Sequence, residues 1–154
     1  MEIEPKNAYA WDNKGNALFK LGRYEEAIVC LDKALEIEPK NAYAWYNKSV
    51  LFNRLGLRDE TISCVDKALE IDPNFIKALY DKANYLAQLA RYEQAIECLD
   101  KALNLDPKFV DAFSLKGYLL NALERYKEAL VCLNKSIRIT NSFDFLNEPQ
   151  YREI

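Results

Sequence analysis

Apolar residues recur along this chain at spacings of three, four and seven: Trp11, Leu18 and Leu21 form one series, and Ala27, Leu31, Ala34 and Leu35 the next. That is the period of one face of an α-helix, and no strand-like alternation competes with it. Between the two series the pattern breaks at Gly22-Arg23-Tyr24, and again at Gly56-Leu57-Arg58 and Ala90-Arg91-Tyr92, each break short enough for an antiparallel turn. Glu-Pro or Asp-Pro at Pro39, Pro73 and Pro107 stops each second helix, because proline has no amide hydrogen to continue the ladder. The pattern predicts helical hairpins and an all-α class.

The hairpins repeat with a fixed period. Residues 2–11 read EIEPKNAYAW, and the same ten letters return at residues 36–45, a shift of 34. Leu21, Leu55, Leu89 and Leu123 follow the same step, as do Ile28, Ile62, Ile96 and Leu130. A large column, Trp11, Trp45, Leu79 and Phe113, fills space between two helices. A small column, Gly15, Ser49, Ala83 and Gly117, lets their backbones approach, and Ala27, Thr61, Ala95 and Ala129 are small on the facing helix. Hairpins are expected over residues 8–39, 42–73, 75–107 and 109–140.

This 34-residue pattern, with Trp11 and Gly15, then Ala27, Ala34 and closing Pro39, resembles the tetratricopeptide repeat family over about nine tenths of the chain. It departs from the family at Arg58 (a turn tyrosine), Thr61 (an alanine), Glu124 (a turn glycine) and Asn141 (the closing proline). The resemblance implies a right-handed superhelix of antiparallel hairpins, an α-solenoid of four repeats at 8–41, 42–75, 76–109 and 110–140. It also implies that the first helix of each hairpin lines a concave face. Residues 1–7 duplicate the end of a preceding repeat, so the chain reads as the C-terminal piece of a longer array. Residues 141–154 read as a capping segment, with Ser142 capping a short helix that carries Phe143, Phe145 and Leu146, and Pro149 opening a last turn with Tyr151 and Ile154.

Composition narrows the function classes. The net charge of −3 comes from interspersed acids and bases, with no like-charge cluster to attract a phosphate backbone, so nucleic acid is not the expected partner. No apolar run approaches a membrane span, the N-terminal residues lack the pattern of a secretory signal, and a cytoplasmic location is expected. The absence of histidine removes the usual general base and the commonest metal ligand, and no phosphate loop, nucleophile elbow or CxxC is present. Neither enzyme activity nor a cofactor is expected. Cys30, Cys64, Cys98 and Cys132 stand 34 residues apart. On successive hairpins that spacing makes a ladder about 8–10 Å per step, too wide for disulfides or one tetrahedral metal, so buried reduced thiols are expected. Lys14, Lys48, Lys82 and Lys116 form a second ladder, whose ammonium groups are expected to meet Asp32, Asp66 and Asp100 on the second helices.

The concave face implied by the resemblance places Tyr9, Asp12, Asn13, Asn16 and Lys20 together from the first hairpin, and Tyr43, Tyr46, Asn47, Asn53 and Arg54 from the second. Lys77, Tyr80, Asp81, Asn84 and Gln88 follow from the third, and Asp111, Ser114, Tyr118 and Asn121 from the fourth. Amides offer paired donors and acceptors to a peptide backbone, and tyrosines offer flat contact area, so the expected function is a protein-interaction scaffold holding an extended peptide of roughly 6 to 10 residues. A regulatory segment of a larger enzyme and a self-assembling structural protein are the alternatives. One branch of the family clamps a chaperone's C-terminal carboxylate with two lysines, two asparagines and an arginine. Asn16, Asn47 and Lys77 match that set, but Asp12 and Asp81 stand at the other two positions, which argues against that ligand. A missing preceding hairpin would expose Ala10, Trp11, Leu18 and Leu21, so a weak homodimer through the N-terminal end is also expected.

Overall fold

A computed structural model describes residues 7–147, with side chains described through Ser142. Among the described residues all regular structure is helical: α1 (Ala8–Lys20), α2 (Tyr24–Ile37), α3 (Ala42–Arg54), α4 (Arg58–Ile71), α5 (Ile76–Gln88), α6 (Tyr92–Leu105), α7 (Val110–Ala122) and α8 (Tyr126–Asn147). The chain divides into two compact units at the Ala78–Leu79 bond, within α5. The first holds α1 to α4 and the opening turn of α5, and the second holds the remainder of α5 with α6 to α8.

Each hairpin turns in the same way. Gly22 and Gly56 adopt φ of 75° and 74°, and the residues one and two periods on, Ala90 and Glu124, hold φ of 57° and 60° although they carry side chains. The next residue reaches back across the turn: Arg23 N–H donates to Leu18 O at 2.9 Å, Leu57 N–H to Phe52 O at 3.0 Å, Arg91 N–H to Leu86 O at 2.9 Å and Arg125 N–H to Leu120 O at 2.9 Å. A left-handed residue followed by that six-residue bond satisfies the last carbonyls of the first helix. Arg23 and Arg125 then fork onto Glu26 and Glu128, one turn into the second helix.

The first helices start by two devices. Asn7 and Asn41 cap α1 and α3 by accepting from Ala10 N–H and Ala44 N–H, each at 3.0 Å. In the last two hairpins the equivalent position is Phe75 or Phe109, and the Asp before the proline orders the loop instead: Asp72 accepts from Asn74 N–H and Asp106 from Lys108 N–H.

The helices of a hairpin meet at the small column. In the first unit, Leu18, Ala27, Cys30, Leu31 and Leu51 form a core with Trp11, Phe19, Tyr24 and Ile28 around it, and Ala34, Leu35 and Ala44 pack under Trp11 and Trp45. The hydroxyls of Ser49 and Thr61 are satisfied locally, Ser49 donating to Tyr46 O and Thr61 to Leu57 O, both at 2.7 Å. The expected pairing of the lysine ladder holds at two junctions: Lys48 Nζ lies 2.5 Å from Asp32 Oδ1, and Lys116 bonds Asp100. Lys14 lies over the Trp11 ring.

The C-terminal end differs from expectation. α8 runs without a break through residues 140 and 141, and Ser142 is a mid-helix residue whose hydroxyl donates to Arg138 O at 2.8 Å rather than capping a new helix. The cause is Asn141 in the closing-proline column, which keeps its amide hydrogen and does not clash with the preceding turn. Residues 1–6 of the repeat remnant read over 1–7, and Pro149, Tyr151 and Ile154, lie outside the described residues, as do the side chains of Phe143, Phe145 and Leu146. The N-terminal face is also narrower than expected: Leu18 is buried and Trp11 half-buried against the core, leaving Leu21 and Tyr9 as its large exposed apolar side chains.

The left-handed turns generate a stability prediction. Ala90→Gly and Glu124→Gly relieve a Cβ in a conformation that L-residues avoid, and each is expected to stabilise the protein by about 0.5–1 kcal/mol after the extra freedom of glycine in the unfolded chain is offset. Gly22→Ala is expected to cost a similar amount. Urea denaturation midpoints measure all three.

Candidate functional site

The first unit contains a cleft of about 290 Å³ lined by Gly15, Asn16, Phe19 and Lys20 of α1, Leu31 of α2, Tyr46, Asn47, Val50 and Leu51 of α3, and Lys77 of α5. Its lining residue Gly15 is buried and packs directly on Leu31, where an added Cβ would lie 3.1 Å from Leu31 Cγ. Its lower surface is apolar: Leu31 and Leu51 are fully buried, and Phe19 packs on the same cluster. Its polar groups are Asn16, Asn47, Lys20 and Lys77, and no carboxylate is among its lining residues.

Two contacts set the geometry of the rim. Asn47 Nδ2 donates to Asp12 Oδ1 at 3.0 Å, which orients the amide and occupies the acid. Lys77 Nζ lies 5.6 Å from the Tyr46 ring centroid, so an aromatic face holds one of the cleft's two cations. Phe75 packs on the same tyrosine, with centroids 5.0 Å apart, and also contacts Tyr43 at 4.8 Å. The rim can therefore offer two ammonium groups and two amides to a ligand over an apolar base.

The structure brings Asn16, Tyr46, Asn47 and Lys77 to this one cleft, with Asp12 directly behind Asn47. Tyr46 takes part as a buried support, 6% exposed, rather than as open contact area. Tyr9, Asn13 and Tyr43 are exposed on α1 and α3 and do not line it. In the second unit, Tyr80 leans on Phe109 with centroids 5.0 Å apart, Asn84 spends its amide on Tyr80 O at 3.1 Å, Asp81 is half-buried and Tyr118 is exposed. Ser114, expected to face the concave surface, instead bonds Ser136 of α8 at 2.7 Å. A small polar pair between facing helices satisfies itself across the hairpin. Sequence reasoning missed Phe75, Phe19 and Val50. The signal for Phe75 was the change from Asn to Phe in the column of Asn7 and Asn41, which exchanges a capping group for a ring.

A larger cleft of about 610 Å³ in the second unit is lined by Pro107, Phe113, Lys116 and Lys135 among others. It has a packing explanation. Trp45 fills the equivalent place in the first unit and donates from Nε1 to Pro39 O at 2.9 Å. Phe113 is shorter, has no N–H and leaves that space open beside Pro107. Lys135 lies over Phe113, and Lys116 is paired with Asp100.

The cysteines sit on the second helices as buried thiols. Burial pushes the Cys30, Cys64 and Cys132 thiols up from their ordinary value, outweighing the pull of neighbouring lysines. Among the described residues no three His, Cys, Asp or Glu side chains converge to hold a metal, and no helix is long and apolar enough to cross a membrane.

A family model described as TPR repeat matches residues 15–56, and a second repeat-type model, described as anaphase-promoting complex, cyclosome, subunit 3, matches residues 55–136. The chain belongs to the tetratricopeptide repeat family. No curated protein sequence matches it. Among solved structures it is similar to a crystal structure of MamA, with a TM-score of 0.86 at 18% identity over 92% of this chain and 82% of that one, a likeness of fold alone. PilF of Pseudomonas aeruginosa gives 0.77 at 27% identity over 87% of this chain and 61% of that one. The first tetratricopeptide domain of Spaghetti (RPAP3), solved with the HSP90 peptide SRMEEVD, gives 0.73 at 25% identity over 80% of this chain and 98% of that one.

Thiol reactivity follows from the burial of the cysteines in this repeat protein. The thiolate is the reacting form, so a raised pKa lowers its fraction at neutral pH and the reaction should quicken as pH rises. A disulfide-exchange reagent at pH 7 is expected to react slowly with the native chain and to count four thiols after unfolding.

Proposed function

We propose that this repeat protein is an interaction scaffold whose first unit holds an extended peptide across the cleft between α1 and α3, with an acidic group of that peptide near Lys20 and Lys77. The carrying observation is the lining itself: two lysines and two amides above an apolar base, with no carboxylate among them. An extended peptide leaves its backbone N–H and C=O groups unpaired, and Asn16 and Asn47 supply the complementary groups in pairs. The hydrogen bond from Asn47 to Asp12 pre-orients one of those amides, which lowers the ordering cost of binding. The similar RPAP3 domain was solved with SRMEEVD, a peptide rich in acids, and this supports the same ligand chemistry here.

Asp12 and Asp81 distinguish this reading from a clamp made of five basic and amide groups. An acid at each position removes cation density that a terminal carboxylate would use, so an internal Glu or Asp is the favoured group. Tyr9, Asn13 and Tyr43 are proposed as contact positions of the first unit, and Tyr80, Asn84 and Tyr118 as contact positions of the second unit on its own, with the repeat division at 8–41, 42–75, 76–109 and 110–140 as the underlying frame.

The test is fluorescence anisotropy with labelled seven-residue peptides containing Glu or Asp, against the same sequences carrying Gln or Asn. Acidic peptides are expected to bind more tightly, and Lys20→Glu or Lys77→Glu is expected to weaken them about tenfold, the scale of one charge-assisted contact. Both lysines are exposed, so helical circular dichroism should be unchanged. Equal binding of both peptide classes, or no loss in the lysine variants, rejects the assignment.

A further inference from the structure

Among the described residues of the second unit, α8 carries an exposed apolar stripe in which Leu130, Leu133 and Ile137 are 61%, 38% and 56% exposed. The 34-residue register says what such a stripe is built to receive. Leu133 corresponds to Leu31 and Leu99, and Ile137 to Leu35. Leu31, Leu35 and Leu99 are buried, at 1%, 7% and 0% exposure. In the first unit α3 packs against α2, Leu51 joining Leu31 in one cluster and Ala44 joining Leu35 in another. In the second unit α7 packs against α6, with Ala112 and Leu119 in the same register positions and fully buried. The covering surface is therefore known in composition: alanine, a lysine, an apolar residue and leucine down one side of a first helix.

A similar, largely exposed surface occurs on α1. On α1 the register equivalents of Ala44, Lys48, Leu51 and Leu55 are Ala10, Lys14, Ala17 and Leu21. Ala17 and Lys14 are exposed, Ala10 is half-buried and Leu21 is 71% exposed. One chain thus carries both halves of a junction that it forms internally between α2 and α3. We propose that α8 of one copy receives α1 of a second copy, head to tail, in the register of the α2–α3 junction. This goes beyond peptide binding and uses a different surface from the cleft.

Such a contact joins two different faces, so one copy still offers a free α1 and the other a free α8, and growth does not stop at two. It is weaker than the internal junctions for a readable reason. Lys48 meets Asp32 and Lys116 meets Asp100, but the residue that would meet Lys14 of the second copy is Asn134. Ala17 also offers less apolar area than the Leu51 it replaces.

Sedimentation velocity on the full chain, from about 10 μM to about 1 mM, reads the contact directly. The unchanged protein is expected to grow past a dimer as concentration rises. Leu130→Glu combined with Ile137→Glu alters the α8 face, and Leu21→Glu alters the α1 face. All three side chains are exposed, so the fold, checked by circular dichroism, should survive. Each variant alone is expected to stay monomeric, and an equimolar mixture of the two to form dimers and nothing larger, because one intact face remains on each partner. Asn134→Asp restores the missing acid and is expected to shift assembly to at least about threefold lower concentration, the weight of a partly exposed ion pair. A wild-type chain that stays monomeric overturns the proposal, as does either face variant dimerising alone, which signals a symmetric contact. Assembly of Tyr151→Ser with Ile154→Ser where the unchanged chain shows none also overturns it, since the chain's own last residues then occupy the face.

Discussion

The close approach of two helices at one small residue per hairpin is the constraint on which the rest of the structure depends. A Cβ added at Gly15 would lie 3.1 Å from Leu31 Cγ and 3.3 Å from Ala27 O, and at Gly117 it would lie 2.7 Å from Leu133 Cγ. At that separation each glycine takes a leucine side chain and the backbone of a small residue, Ala27 or Ala129, from the facing helix, with Trp11 and Leu18 packed on the same cluster in the first hairpin. The second hairpin carries Ser49 at the tight position without penalty, because its hydroxyl bonds its own helix and asks nothing of the neighbour. Large against small then fixes which side of each first helix is buried, and so which side remains for a ligand.

The turns and the junctions both follow from this packing. Two helices held so close need a tight reversal, and the backbone takes the left-handed conformation even at Ala90 and Glu124, where the residue itself disfavours it. The cleft in the first unit lies beside this packing: Gly15 sits against Leu31, Tyr46 is held by Phe75, and the amides of Asn16 and Asn47 reach one space. The polar groups that line the cleft are what the packing leaves over.

Much of the candidate site was legible in the sequence. The 34-residue step placed Asn16, Asn47 and Lys77 on first helices, and the lysine ladder opposite its aspartates at two junctions. Tyr46 and Ser114 were assigned to the right helices, but their surroundings were not legible. Tyr46 is covered by a ring from the next loop, and Ser114 finds a hydroxyl 22 positions away on α8. Asn47 was seen as a free donor and acceptor, whereas Asp12, 35 positions earlier, already holds one of its hydrogens.

By itself the sequence determined the helices, their pairing into hairpins and the period, because each of these depends on residues three, four or a few more positions apart and on prolines that remove a donor. It also set the four cysteines at an even 34-residue spacing on the second helices, where each is buried. Tertiary structure alone decided which polar side chains remain free, that α8 continues past Thr140, and that the broad uncovered stripe lies on α8 rather than around Trp11. The physical reason is that exposure is a property of neighbours. A helix face is written in local spacing, but whether it is covered depends on contacts with residues one repeat or more away, whose side-chain sizes and hydrogen bonds no local pattern contains.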